Sequence, residues 1–212
     1  MTLQNLNSLK DKSIDLIISD LDDTLVRNVA VSYVKKKFFK HPIENLAFLA
    51  YTLYEVAKFP NSKNKTLSDL EVNLFKDYVN NFVPLDEILD FVEHNKSYLI
   101  LEDAKNFLDS FQNSKKVLAT RNFEEVAYEF KDDFKLDEIY ANILDKRSIA
   151  SEIINHKKYS VLILGDSKSD LQLALEVKKE GLDPIVILRG RLVNLDSYKQ
   201  FENLDSLTRS YL

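Results

Sequence analysis

The chain has 212 residues, 45% of them hydrophobic and 30% charged, with a formal net charge of −5. That length suits one well-cored domain, or a core domain carrying a smaller insertion, and the acidic balance speaks against a dedicated nucleic-acid binder, whose phosphate partner rewards clustered Lys and Arg. The absence of Cys removes disulfides, zinc-thiolate sites and a cysteine nucleophile, and three glycines are too few to assemble a Walker or dinucleotide-binding loop.

In chain order, residues 1–13 lack a positive stretch followed by an apolar one, so no secretory signal is expected. Residues 14–19 then form a continuous apolar run without clean alternation, which fits a strand buried on both faces of a parallel sheet. From about residue 29 to 112 no strand is expected; helices are read over 31–39, 43–59, 67–80, 85–93 and 101–111, with Pro42, Pro60 and Pro84 at the breaks. Thr66 or Ser68 would cap the third of these. The stretch 45–59 is the longest apolar one; broken by Thr52 and Glu55, it is too short to span a bilayer and is expected to form the buried centre of a helical bundle. A dimer or membrane-surface contact is the alternative. Strands follow at 116–120, 160–164 and 184–188, with a weaker one at 138–141, separated by helices at 123–130, 148–155 and 171–179. Such alternation predicts a doubly wound, Rossmann-like α/β core with helices on both faces, made of residues 1–28 and 113–212, with an all-helical insertion at 29–112. The expected protein is cytoplasmic, without a membrane or nucleic-acid partner, and monomeric or homodimeric.

The chemistry is carried by strand ends. The first strand runs into Asp20, Asp22 and Asp23, and the strand SVLILG into Asp166 and Asp170. Ligands of parallel sheets bind outside the carboxyl ends of strands. If these two strands are neighbours, their carboxylates converge, and mutual repulsion raises their pKa values. A hard dication such as Mg²⁺, which prefers oxygen ligands and keeps waters for a phosphate, would relieve that strain. Thr120, at the end of VLAT, offers a hydroxyl and following backbone N–H groups to phosphoryl oxygens, and Lys146 a neutralising charge.

These pieces, in this order, resemble the motifs of the haloacid dehalogenase superfamily of aspartate-nucleophile phosphatases. DLDDT at Asp20 to Thr24 is similar to that family's Asp-x-Asp-x-Thr, Thr120 to its second motif, Lys146 to its third and GDSKSD at Gly165 to Asp170 to its fourth. The helical insertion falls where the family places its type I cap. The resemblance implies an Mg²⁺-dependent phosphatase acting on a small phosphorylated metabolite. In it, Asp20 would be the nucleophile that becomes an aspartyl-phosphate, and Asp22 the general acid and base. Thr120 and Lys146 would hold the phosphoryl group. Asp20, Asp166 and the backbone carbonyl of Asp22 would be metal ligands, with Asp170 acting through water or the second ligand layer. Asp23 stands where the family often has Gly, and is expected to face away from the metal. Arg121, Asn122 and the stretch from Arg27 to Tyr33 are candidate substrate contacts.

Each of these residue types has a blander use. Acidic residues end strands as turn formers, Asp166 or Ser167 would serve as a helix cap, Thr120 as an ordinary strand residue and Lys146 as a solvated surface lysine. The joint, ordered occurrence favours the site. His41, His94 and His156 lack metal spacing and are read as surface residues. Between 31 and 65 there are seven Lys against two acids, a face that would either draw anionic substrates or simply be solvated. Three alternatives to the phosphatase reading stay open: a phosphomutase, a haloacid-type hydrolase on the same fold, and a non-catalytic binding protein that keeps the fold.

Overall fold

The computed structural model describes residues 13–37, 42–43, 46–47, 50–51, 53–54, 74, 76–81, 83–155, 159–188 and 191–193. The capping positions Thr66 and Ser68, and His41 and His156, lie outside the described residues.

Six strands form one sheet: β1 (Leu16–Ser19), β2 (Lys115–Ala119), β3 (Glu138–Tyr140), β4 (Val161–Gly165), β5 (Ile185–Leu188) and β6 (Arg191–Val193). Their spatial order is β3-β2-β1-β4-β5-β6. β1 to β5 are parallel; β6 returns antiparallel along β5. The apolar runs lie within two residues of their expected bounds, because β1, β2 and β4 are buried along nearly their whole length. Alternate residues feed two cores. Ile17, Leu118, Leu162 and Leu164 face one; Leu16, Ile18, Val117, Val161 and Ile163 face the other. Each such side chain contributes about 1.5–3 kcal/mol of transfer free energy. β6 was not expected from the sequence.

The second core is closed by α6 (Ala150–Ile154) and α7 (Lys168–Lys179). Ser167 and Asp170 form a capping box at the start of α7, and Lys178 and Lys179 complement the dipole at its end. The first core is covered by α1 (Val29–Lys37), α2 (Leu85–Leu99), α3 (Glu102–Asp109), α4 (Glu124–Tyr128) and α5 (Lys131–Phe134). Tyr33 of α1 sits edge-on to Phe91 of α2 at 5.3 Å and to Tyr78 at 6.4 Å, tying the inserted helical layer together over the sheet. The chain leaves and re-enters the sheet side by side: Arg27 N–H donates to Leu99 O, and Leu101 N–H to Leu25 O.

Three expectations differ from what is found. The helix expected at 123–130 stops at Tyr128, and a separate short helix, α5, begins at Lys131 after Phe130 leaves helical geometry (φ −101°, ψ 2°). The helix expected to stop at Glu93 continues to Leu99 across a kink at Asn95 (φ −124°), where the Asn95 amide bonds Phe91 O. Of the apolar helix expected at 43–59, Ile43, Leu46, Leu53 and Tyr54 are more than half exposed and Tyr51 is half-buried, while 44–45, 48–49, 52 and 55–59 lie outside the described residues. Tyr33, Tyr78, Val83, Ile88, Phe91 and Val92 are buried and share one cluster with the sheet face.

Candidate active site

The strand order places a topological switch point between β1 and β4. From β1 the chain proceeds to β2 and β3 on one side, then crosses to β4 and β5 on the other. The connections diverge there and leave a crevice beyond the carboxyl ends of the two strands. β1 and β4 are paired from Leu16↔Val161 to Ser19↔Leu164. Their next residues but one or fewer, Asp20 and Asp166, therefore emerge side by side, and the Asp20 N–H bonds Leu164 O at 3.0 Å.

Three carboxylates meet in this crevice. Asp20, Asp166 and Asp170 each offer an oxygen within 4.8 Å of the others. Lys146 lies among them, only 2% exposed, with its Nζ 2.7 Å from both Asp20 Oδ1 and Asp170 Oδ1. A local cap turns it inward. Asp145 accepts the Arg147 N–H at 3.0 Å and opens a 3₁₀ turn over Lys146–Ile149. Arg147 pairs outward with Asp145 at 2.7 Å, while its neighbour points to the acids. Asp170 uses its other oxygen to accept from the N–H groups of Asp166 and Ser167, each at 3.1 Å, and from the Ser167 hydroxyl at 2.8 Å. It therefore fixes both Lys146 and the turn that carries Asp166. Gly165 is required by the same contact, since a Cβ there would lie 2.2 Å from Asp170 Cγ.

Burial raises the Asp20 pKa, against the pull of Lys146. Asp166 opens to the cleft on one side but is backed by buried groups on the other; burial and then the charges of Asp20 and Asp170 push its pKa up to about 7. Burial also lowers the ammonium pKa of Lys146, but Asp20 and Asp170 outweigh it and the net shift is upward. Three carboxylates against one ammonium leave an excess negative charge that burial makes costly. An all-oxygen donor set of this charge suits a hard dication. Asp20 and Asp166 have oxygens to spare for it, whereas those of Asp170 are occupied by Lys146 and the turn.

Asp22 stands apart from this group. Its Oδ1 accepts the Val29 N–H and its Oδ2 the Asn122 Nδ2, both at 2.8 Å. Burial pushes its pKa up to about 7 despite those bonds. Asn122 is itself fixed: its Oδ1 accepts the Phe123 N–H at 2.7 Å, its N–H donates to Thr120 Oγ1 at 3.2 Å, and its carbonyl accepts the Asn142 N–H. Thr120 is 1% exposed and, with Arg121 and Asn122, lines the cleft. The structure thus brings Asp20, Asp22, Thr120, Arg121, Asn122, Lys146 and Asp166 to one cleft, with Asp170 behind it.

Some placements were not foreseen. Asp23 also lines the cleft, in the left-handed conformation (φ +55°) that glycine adopts most easily and Asp tolerates. Of the stretch from Arg27 to Tyr33, Asn28 and Ala30 reach the cleft, whereas Arg27 bonds Tyr98 O at 3.0 Å and stacks on that ring. His94 is exposed and pairs with Asp90. Asn122 serves Asp22 directly, which a sequence cannot show because it depends on side-chain direction across a gap of 100 residues. Lys76, from the inserted helices, also lines the cleft; nothing in the sequence distinguishes it from the other lysines.

The switch-point crevice with its acidic strand ends belongs to a fold similar to that of solved proteins described as haloacid dehalogenase (HAD) hydrolases. The YfnB protein of Bacillus subtilis, assigned to the HAD hydrolases and crystallised with magnesium, is similar over 82% of this chain and 88% of its own, with a TM-score of 0.51 and 15% identity. Looser likenesses are to a phosphoserine phosphatase (TM-score 0.46, 16% identity, 82% and 86% covered) and to the HAD-family hydrolase t0658 of Salmonella enterica serovar Typhi (0.47, 10%, 96% and 82%). No family model and no curated protein sequence matches the chain. No described helix is long and apolar enough to cross a membrane.

Proposed function

We propose that the protein is an Mg²⁺-dependent phosphatase of small phosphate monoesters, with residues 1–28 and 113–212 as the catalytic part and 29–112 as a helical cap. The observation that carries the reading is the division of labour among the carboxyls. Asp20 and Asp166 converge beside Lys146, while Asp22 is held away by Val29 and Asn122 with a pKa near 7.

Asp20 and Asp166, with the Asp22 carbonyl, would hold Mg²⁺, which when bound supplies charge to steady the phosphoryl oxygens. An Asp20 oxygen attacks phosphorus as the bond to the leaving oxygen breaks, giving an aspartyl-phosphate. Asp22, whose raised pKa of about 7 keeps a share of it protonated at neutral pH, delivers its proton to the leaving oxygen. Its carboxylate then takes a proton from a water whose oxygen attacks phosphorus; the Asp20–phosphorus bond breaks and phosphate departs. Lys146 offsets the charge on Asp20 and the phosphoryl group throughout, and the Thr120 hydroxyl and the backbone beyond it orient the phosphoryl oxygens.

Purified protein is expected to hydrolyse p-nitrophenyl phosphate with Mg²⁺, and to lose that activity on chelation or in Asp20→Asn. Activity that survives both treatments sinks the reading. Product analysis separates hydrolysis, which releases inorganic phosphate, from phosphoryl transfer within a sugar phosphate.

A further inference from the structure

Two cations that line the cleft, Arg121 and Lys76, have no part in the chemistry above, and of these Lys76 comes from the inserted helices. Lys76 belongs to the inserted helical layer, where its neighbours Tyr78 and Val79 are anchored in the first core. It lines the cleft together with Asn28, Ala30 and Phe123. Lys146 is already satisfied by two carboxylates. Lys76 is half-buried, and among the described residues it makes no ion pair. Its partner is the neutral Asn142 Oδ1. An ammonium has three donors, and an amide oxygen leaves it uncompensated in charge; burial lowers its pKa accordingly.

The placement of Lys76 says what it would meet. Asn142, its partner, donates its N–H to Asn122 O, and Asn122 holds Asp22. Lys76 is thus linked, through Asn142 and Asn122, to the residue that holds the general acid. The general acid serves the leaving oxygen, so this link sets Lys76 toward the leaving-group part of a substrate. We propose that Lys76 is a specificity residue, pairing with a second anionic group, a carboxylate or a further phosphoryl group, on the leaving-group side of the substrate. The proposal rests on the phosphatase reading and narrows its substrate to phosphate monoesters that carry a second anionic group. The Asn142 amide is then the resting partner, released when the substrate's anion arrives.

Non-hydrolysable phosphonates test this by calorimetry in Mg²⁺ excess. Methylphosphonate is the reference with one anionic group; phosphonoacetate adds a carboxylate and methylenediphosphonate a second phosphoryl group. The wild-type protein is expected to bind at least one of the latter about tenfold or more tightly than methylphosphonate, and the larger preference names the anion. Lys76→Gln should reduce that ratio to about threefold or less, and Lys76→Arg should retain it. A ratio, unlike an activity, is insensitive to partial unfolding of a variant. A wild-type ratio near one, or a ratio unchanged in Lys76→Gln, overturns the proposal while p-nitrophenyl phosphate hydrolysis leaves the phosphatase reading standing. Failure of all three phosphonates to bind, with no hydrolysis, overturns both.

Discussion

Asp22 shows how two hydrogen bonds hold a carboxyl apart from its neighbours. In the proposed reaction the general acid must stay within reach of the leaving oxygen without joining the acidic cluster, and the Val29 N–H and Asn122 Nδ2 bonds, both at 2.8 Å, keep Asp22 in such a place. A hydrogen bond to a charged group contributes about 1.5–3 kcal/mol. Asn122→Ala should therefore lower kcat by about ten- to a hundredfold, with a smaller change in KM, because the bond orients the acid and does not bind the substrate. Steady-state kinetics decides it; a change confined to KM would return Asn122 to the substrate-contact role expected from sequence. Gly165 is a different case, since its constraint is space. The Asp170 carboxyl occupies the volume that a side chain would need. Gly165→Ala should cost about 1–3 kcal/mol or more by overpacking, seen as a lower urea midpoint, and should reduce activity because a displaced Asp170 no longer holds Lys146.

At the scale of elements, legibility follows the physical signal each element carries. The strands β1, β2 and β4 are apolar at almost every position because they are buried on both faces, so they stand out of the sequence. β6 has three residues and pairs on one side only, and no periodicity fits in so short a run. The two acidic strand ends were legible because charge following an apolar run is unusual; Lys76 and the Asn122–Asp22 bond were not, since both depend on the packing of distant segments. Ile43, Leu46, Leu53 and Tyr54 of the apolar segment at 43–59 are exposed for the same reason: hydrophobicity does not say which of several helices gets the core. Among the described residues that place belongs to α1 and α2, whose aromatic pair closes over the sheet. Phe91 is 1% exposed, so Phe91→Ala should destabilise the protein by about 3–5 kcal/mol in urea unfolding. A loss below about 1 kcal/mol would mean that the helical layer collapses freely onto the gap, and that the layer is less closely packed than its buried aromatics indicate.

For the molecule as a whole, the site is a source of instability that the proposed dication would relieve, and pH exposes it. Burial raises the carboxyl of Asp20, and those of Asp22 and Asp166 to about 7, all from a usual value of 3.8. An acid whose pKa rises on folding binds its proton more tightly in the folded state. Its contribution is fully present below the unfolded value and is lost as pH climbs through the folded one. The ion-free protein should thus lose stability between about pH 4 and about pH 7, opposite in sign to a surface carboxylate held by a salt bridge. A dication binds only the deprotonated cluster and releases its protons, so its stabilisation grows over the same interval. In chelator, the melting temperature should fall from about pH 5 to about pH 8, while the increment produced by millimolar Mg²⁺ should widen. Asp166→Asn removes one of the titrating charges and a ligand, so it should flatten the pH dependence in chelator and shrink the Mg²⁺ increment together. A flat profile in the wild-type protein, or an Mg²⁺ increment equal at both pH values, would mean that the three acids are already relieved by the lysine among them, and that no divalent ion is needed to hold the strand ends together.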